Sequence, residues 1–96
     1  MDFIEFLEKE FLSQVNKDTI ISIRRDSSDS NNLGVLAGVD LDSPNFSGYI
    51  YFWSKGFLDY ALYNIKEDRE EVPTRVVETD DYQQFDIIRG VVKFFQ

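Results

Sequence analysis

The sequence predicts an α+β fold: an antiparallel sheet of four to five strands in meander order, with N-terminal and C-terminal helices packed on one face. Three observations point to it. Apolar residues recur at helical spacing at both ends of the chain, at Phe3, Leu7 and Phe11 and again at Phe85, Ile88, Val92 and Phe95. Between these ends the period falls to two, in segments separated by turn-forming residues. The chain has 96 residues, which suits a single domain spanning residues 1–96, so the two kinds of element must share one core.

Residues 2–16 read as the first helix. Ile4, Leu12 and Val15 widen its apolar stripe, Glu5, Glu8, Lys9 and Glu10 face outward, and Asp2 stands where a cap would favour the positive end. Thr19 to Arg25 is a β-branched run with Ile21 and Ile23 on one face and Ser22 and Arg24 on the other, the pattern of a strand with one wet side. The polar run 26–32 is a loop by composition. Leu33 to Val39 predicts a second strand, in which Gly34 and Gly38 leave room for a bulky neighbour. A second loop is expected from Asp40 to Gly48.

Tyr49 to Ser54 is apolar on both faces, with Tyr49, Tyr51 and Trp53 opposite Ile50 and Phe52, as in a central strand. Ser54-Lys55-Gly56 then supplies a hairpin turn, from which Phe57 to Ile65 returns antiparallel. Glu67 to Glu71 reads as a charged excursion, and Pro73 sets it apart from Thr74 to Glu78, a short strand at the sheet edge. From Thr79 the helical period resumes, with Asp80 or Asp81 as cap and Gln83, Gln84, Arg89 and Lys93 outward. Burying Phe85, Ile88, Val92 and Phe95 contributes about 1.5–3 kcal/mol each before conformational entropy is set against it. Gly90 inside this helix suggests a close approach to the sheet.

Composition narrows function. Cysteine and histidine are both absent, which excludes disulfides, thiolate metal sites, a thiol nucleophile and a Ser-His-Asp arrangement. The 18 acidic residues outnumber the 10 basic ones, for a formal net charge of −8. That field repels phosphate backbones and anionic lipid and speeds encounter with cationic proteins. Neither a nucleic acid nor a membrane is therefore expected as a direct partner. The first residues lack a basic n-region, and no run reaches the ~20 apolar residues that span a bilayer, so a cytoplasmic protein is expected.

The acidic residues themselves do not spell chemistry. Asp40 and Asp42 stand at the first and third places of a calcium-loop pattern, but Pro44 occupies the fifth place, Asn45 the sixth where glycine is needed, and no glutamate closes the loop. Glu67, Asp68, Glu70 and Glu71 lie beside Lys66 and Arg69 with no apolar walls to perturb a carboxyl pKa. No catalytic residue, metal or cofactor is expected, and an enzyme would require a deep pocket with a buried acid pair. The aromatic run around Trp53 serves the core. With only two helices available one sheet face stays partly uncovered, where Tyr49, Tyr51 or Tyr60 would offer rigid contact surface. Asp59 either accepts hydrogen bonds from the turn at residues 54–56 or anchors an incoming Arg or Lys.

The segment "GYIYFWSKGFLDYALYN", Gly48 to Asn64, resembles the W-x-x-G-x-x-D hairpin of small bacterial immunity proteins from polymorphic toxin systems, in particular the TriTu group, with Trp53, Gly56 and Asp59 matching the motif. The likeness extends more loosely to both helices, while Glu67 to Glu78 departs from the pattern. The resemblance implies a cytosolic antidote, made beside a toxin, that binds the toxin's effector domain without catalysis. The partner implied is a cognate protein toxin, in many such systems a nuclease with a basic groove. The expected contact residues are Asp40, Asp42, Asp59, Glu67, Asp68, Glu70 and Glu71, with Tyr49, Tyr51 and Tyr60 as apolar contacts. The free protein would be a monomer or weak homodimer. A second reading is a small acidic adaptor that assembles through the open sheet face, as a homodimer.

Overall fold

Each strand of the sheet hydrogen-bonds to its neighbour in sequence, so the sheet is a plain antiparallel meander in the order β1-β2-β3-β4-β5. The computed structural model describes residues 3–26, 34–78 and 81–96, with residues 81–83 as helical backbone. The elements run α1 (Phe3–Glu10), a short 3₁₀ turn (Leu12–Gln14), β1 (Ile20–Asp26), β2 (Leu36–Asp42), β3 (Phe46–Trp53), β4 (Phe57–Asn64), β5 (Arg69–Glu78), α2 (Asp81–Val92) and a closing 3₁₀ turn (Lys93–Phe95). The α+β architecture expected from the sequence is the one observed. Among the described residues no helix is long and apolar enough to cross a membrane.

Strand parity decides what is buried. Val39, Leu41, Ile50, Leu58, Tyr60 and Leu62 all point to one face, where they meet Leu7, Phe11 and Leu12 at the N-terminal end and Ile88, Val91, Val92 and Phe95 at the C-terminal end. α1 lies over β2, and α2 over β3 and β4. Phenylalanine fills the space between the layers: Phe3 stacks on Phe52 at 5.2 Å, Phe6 meets Phe85 edge-on at 5.3 Å, and Phe46 sits 5.2 Å from Phe94. The two ends of the chain are also tied together. The Asn16 amide donates to the Phe95 carbonyl at 2.5 Å, and the Gln96 side chain donates to that of Gln14 at 3.1 Å.

Several local expectations are corrected. The second strand spans Leu36–Asp42 rather than Leu33–Val39, because β2 continues beside β3 until Asp42 faces Ser47. Asp40 and Asp42 are thus strand residues, and only Ser43-Pro44-Asn45 turns the chain, closed by Ser43 N–H donating to the Phe46 carbonyl at 2.8 Å. β5 runs through Pro73 instead of starting after it, and takes in Glu70 and Glu71. An edge strand tolerates the missing N–H, and the pairing with β4 is interrupted there by register shifts around Leu62. The expected caps Asp2 and Asp80, the side chain of Asp81, and Leu33 with most of the 26–32 loop lie outside the described residues.

β1 departs most from its expected pattern. All seven of its residues are exposed, Ile21 and Ile23 at 38% and 54% on the face shared with the helices and Ile20 at 67% on the other. The helices end over β2 and leave β1 beyond the core's margin.

Two glycines separate cleanly. Gly38 faces Tyr51 across the β2–β3 ladder, and a Cβ there would collide with the Ile50 carbonyl and come within 2.8 Å of the Tyr51 ring. The close approach expected at Gly90, by contrast, is not found: a Cβ there meets nothing within 4 Å. Gly38→Ala should therefore lower stability by about 1–3 kcal/mol, and Gly90→Ala should raise it by about 0.5–1 kcal/mol. Urea unfolding midpoints of the two variants, moving in opposite directions, check both.

Candidate functional site

The same parity that fills the core sends another set of side chains outward. The uncovered face of the sheet carries Asp40 and Asp42 from β2, Ser47, Tyr49, Tyr51 and Trp53 from β3, and Phe57, Asp59, Ala61 and Tyr63 from β4. β3 is the middle strand, which places the tyrosines at the centre of that face. The Ser54-Lys55-Gly56 turn holds the β3–β4 register: the Gly56 amide donates to the Trp53 carbonyl at 2.9 Å, and Gly56 takes φ +96°, a value that only glycine adopts without strain.

Tyr49 and Tyr51 stack side by side with ring centres 4.5 Å apart, and their hydroxyls reach in opposite directions. Tyr51 donates to Asp40 Oδ1, while Tyr49 donates to Asp59 Oδ1 at 3.0 Å. Arg24 of β1 pairs with the second oxygen of Asp40 at 3.1 Å. The Trp53 indole N–H makes a long contact of 3.4 Å to the second oxygen of Asp59, and Ser47 donates to Asp42 Oδ1 at 2.7 Å. Each carboxylate at the centre of the face is therefore held by at least one hydroxyl. The tyrosines respond in turn. Burial, and then the hydrogen bond to Asp40, push the Tyr51 pKa well above the ordinary 10.0. Burial likewise raises that of Tyr49, opposed by a hydrogen bond from Thr74 and reinforced by Asp59.

Beside the stacked pair runs a groove of ≈ 460 Å³, floored by Gly48 and Ala61, walled by Tyr49 and Tyr63, and rimmed by Asp40, Asp42, Glu70 and Thr74. Its polar groups are mostly acceptors, and so it suits a donor-rich cationic group from another molecule.

The expected contact residues divide into three sets. Asp40, Asp42, Asp59, Tyr49, Tyr51 and Glu70 share the open face. Tyr60 does not: it pairs with Ile50, one residue out of phase with the other tyrosines, and is 9% exposed within the core. Glu67 and Asp68 belong to the β4–β5 turn, and Glu71, near the start of β5, helps to brace it. Asn64, itself buried, accepts from the Glu67 amide at 3.0 Å and donates to Glu71 at 3.0 Å. Arg69 bridges Glu67 at 3.0 Å and Glu71 at 2.9 Å, and Tyr63 donates to Asp68. The hydrogen bond from Asn64, then that from Arg69, hold the Glu71 carboxyl below its usual range. Asp59 takes its hydrogen bonds from Tyr49 and Trp53, side chains on its own face, instead of from the turn at residues 54–56.

Arg24, Ser47, Tyr63 and Thr74 were not anticipated in this site. For Tyr63 the signal was present: Phe57, Asp59, Ala61 and Tyr63 alternate in phase from the start of β4. Comparison of the chain with family models, with curated proteins and with solved structures gave no match.

The tyrosine–carboxylate contacts have a pH signature. Tyr49, Tyr51 and Tyr63 all hold their protons more tightly folded than at the ordinary value of 10.0. Their contribution to stability is complete below that pH and is lost as pH rises through the raised folded values. Unfolding midpoints should therefore fall steeply in alkali. Tyr51→Phe should cost about 1 kcal/mol at neutral pH, allowing for its partial exposure, and flatten the alkaline loss. Parallel pH curves for variant and parent would contradict this account.

Proposed function

We propose that the protein is an immunity protein, which binds and neutralises the effector domain of a cognate bacterial toxin as a stoichiometric complex, with the uncovered sheet face as its contact surface. One observation carries this reading: a five-stranded sheet with helices on one side leaves Tyr49, Tyr51 and Trp53 on the other, framed by Asp40, Asp42, Asp59 and Glu70. The hairpin that resembles the TriTu motif also forms this surface. Trp53 and Asp59 lie on it, and Gly56 turns the chain between them.

The chemistry fits an inhibitor. A net charge of −8 draws a cationic effector in from a distance, and a nuclease with a basic substrate groove is the kind of target it would cover. Stacked tyrosines supply apolar area with little rotamer entropy to lose on binding. Inhibition then follows from affinity and occlusion, without turnover, in the cytoplasm where the toxin is made. A homodimer through this same face is disfavoured on charge, since it would bring four carboxylates against their own copies.

Mixed with the product of the adjacent upstream gene, the purified protein should form a complex whose association slows as salt rises. The paired change Asp42→Asn and Glu70→Gln should weaken that complex by about 10-fold, mainly in the dissociation rate. Stopped-flow and equilibrium titration read both effects, and a mixture that shows no complex even at low salt would rule the reading out.

A further inference from the structure

The two edges of the sheet are built differently. β5 carries Pro73, a pairing interrupted by register shifts, and the charges Arg69, Glu70, Glu71, Arg75 and Glu78, devices that keep an edge from adding another strand. β1 lacks the proline and the register break, and its charges, Arg24, Arg25 and Asp26, are confined to its C-terminal end. It pairs with β2 in unbroken register over Ile20 to Asp26, contains no proline, and exposes Ile20, Ile21 and Ile23. It also differs in charge. With Arg24 and Arg25 against Asp26, β1 has more basic than acidic residues, whereas β2 and β4 are acidic, β5 is acidic on balance, and β3 is uncharged.

We propose that β1 is a self-association edge, through which two copies of this chain pair antiparallel about Ser22 into one continuous sheet with all four helices on the same side. Three arguments select a second copy as the occupant. The first is charge: two molecules at −8 approach best where each is least acidic, and among the strands that place is β1. The second is register. Centred on Ser22, the two-fold pairing sets Ile21 against Ile23 of the second copy and Ile23 against Ile21, covering both exposed isoleucines of the helix-side face at once. Ile20 then meets the aliphatic stem of the other Arg24 on the open face. Shifting the centre to Ile23 would set Ile21 against Arg25, and shifting it to Ile21 would leave Ile23 facing Thr19, so neither alternative covers the apolar side chains as well.

The third argument is geometric: an axis at Ser22 passes normal to the sheet, leaving each open face and its tyrosines accessible. A contact of at most seven residues a side is small beside the roughly 20–30 of a standard interface. The dimer is therefore reversible and concentration-dependent.

Sedimentation equilibrium at low and high salt tests this. Self-association should strengthen with salt, as repulsion between acidic copies is screened, the opposite direction to the steered complex proposed above. Ile23→Lys should weaken it by about 10-fold or more, while Val76→Lys on the β5 side should leave it unchanged. Because the chain has no cysteine, Ser22→Cys is a clean register probe. It should oxidise to a covalent dimer much faster than Ile20→Cys, and this arm decides the matter should Ile23→Lys fail to fold. A protein that stays monomeric at every concentration and salt overturns the proposal. So does a dimer insensitive to Ile23→Lys and without preferential cross-linking at position 22. Neither result bears on toxin binding, which uses a different surface.

Discussion

Two helices can cover only one face of a five-stranded sheet, and the whole molecule is arranged around that limit. Side chains alternate across a strand, so the sequence must put its strongest hydrophobes at one parity and groups that tolerate water at the other. The split between phenylalanine and tyrosine shows how this is met. Phe3, Phe6, Phe11, Phe46, Phe85, Phe94 and Phe95 lie in or against the core, as does Phe52 through its stack on Phe3. Tyr49, Tyr51 and Tyr63 take the other side. Tyr60 in the core and Phe57 on the open face depart from this split, which otherwise sorts the rings by a single hydroxyl group. A phenyl ring gains most when fully removed from water, whereas a phenol can be half-buried and keep its oxygen bonded.

That uncovered face is ordered by its own chemistry. Tyr49 and Tyr51 cross their hydroxyls over to Asp59 and Asp40, which ties β2, β3 and β4 together on the side where no helix clamps them. Each carboxylate gains a donor and each phenol an acceptor, and the stacked rings lose rotamer freedom during folding instead of on binding. A surface prepared in this way offers a partner fixed charges and fixed aromatic area. Gly38 belongs to the same construction, because its missing side chain lets β3 come close enough for the Tyr51 ring to lie across β2.

Much of this was legible in the sequence. Helical spacing at both ends, the two-sided aromatic strand and the glycine turn together define a meander with terminal helices, and the structure has that form. What was hidden depended on register. Asp40 and Asp42 read as loop residues because two acids near a proline carry no strand propensity, yet pairing with Tyr49 and Ser47 draws them into β2. Tyr60 read as surface by analogy with its neighbours, but on β4 it falls at the parity of Leu58 and Leu62. Glu71 read as part of a solvated charge run, yet its bonds to Asn64 and Arg69 form across a turn whose shape no local pattern announces. In each case composition described the residue type correctly, and long-range pairing decided its place.

In the complex proposed, charge on the site would work at two ranges. From a distance the partner meets the total of −8, to which every acid contributes whether or not it is already bonded. At contact only unspent acceptors count. Asp40 already receives Tyr51 and Arg24, Asp59 receives Tyr49 and Trp53, and Glu67 and Glu71 are occupied by Arg69. Among the described residues of the groove, Glu70 and the second oxygen of Asp42 are left without a donor. These two groups flank the groove beside Tyr49 and Tyr63, where an incoming cation would exchange water for carboxylate on one side and an aromatic ring on the other. Under that proposal steering would belong to the whole chain, while specificity at contact would fall to a few atoms at the β2 and β5 sides of one groove.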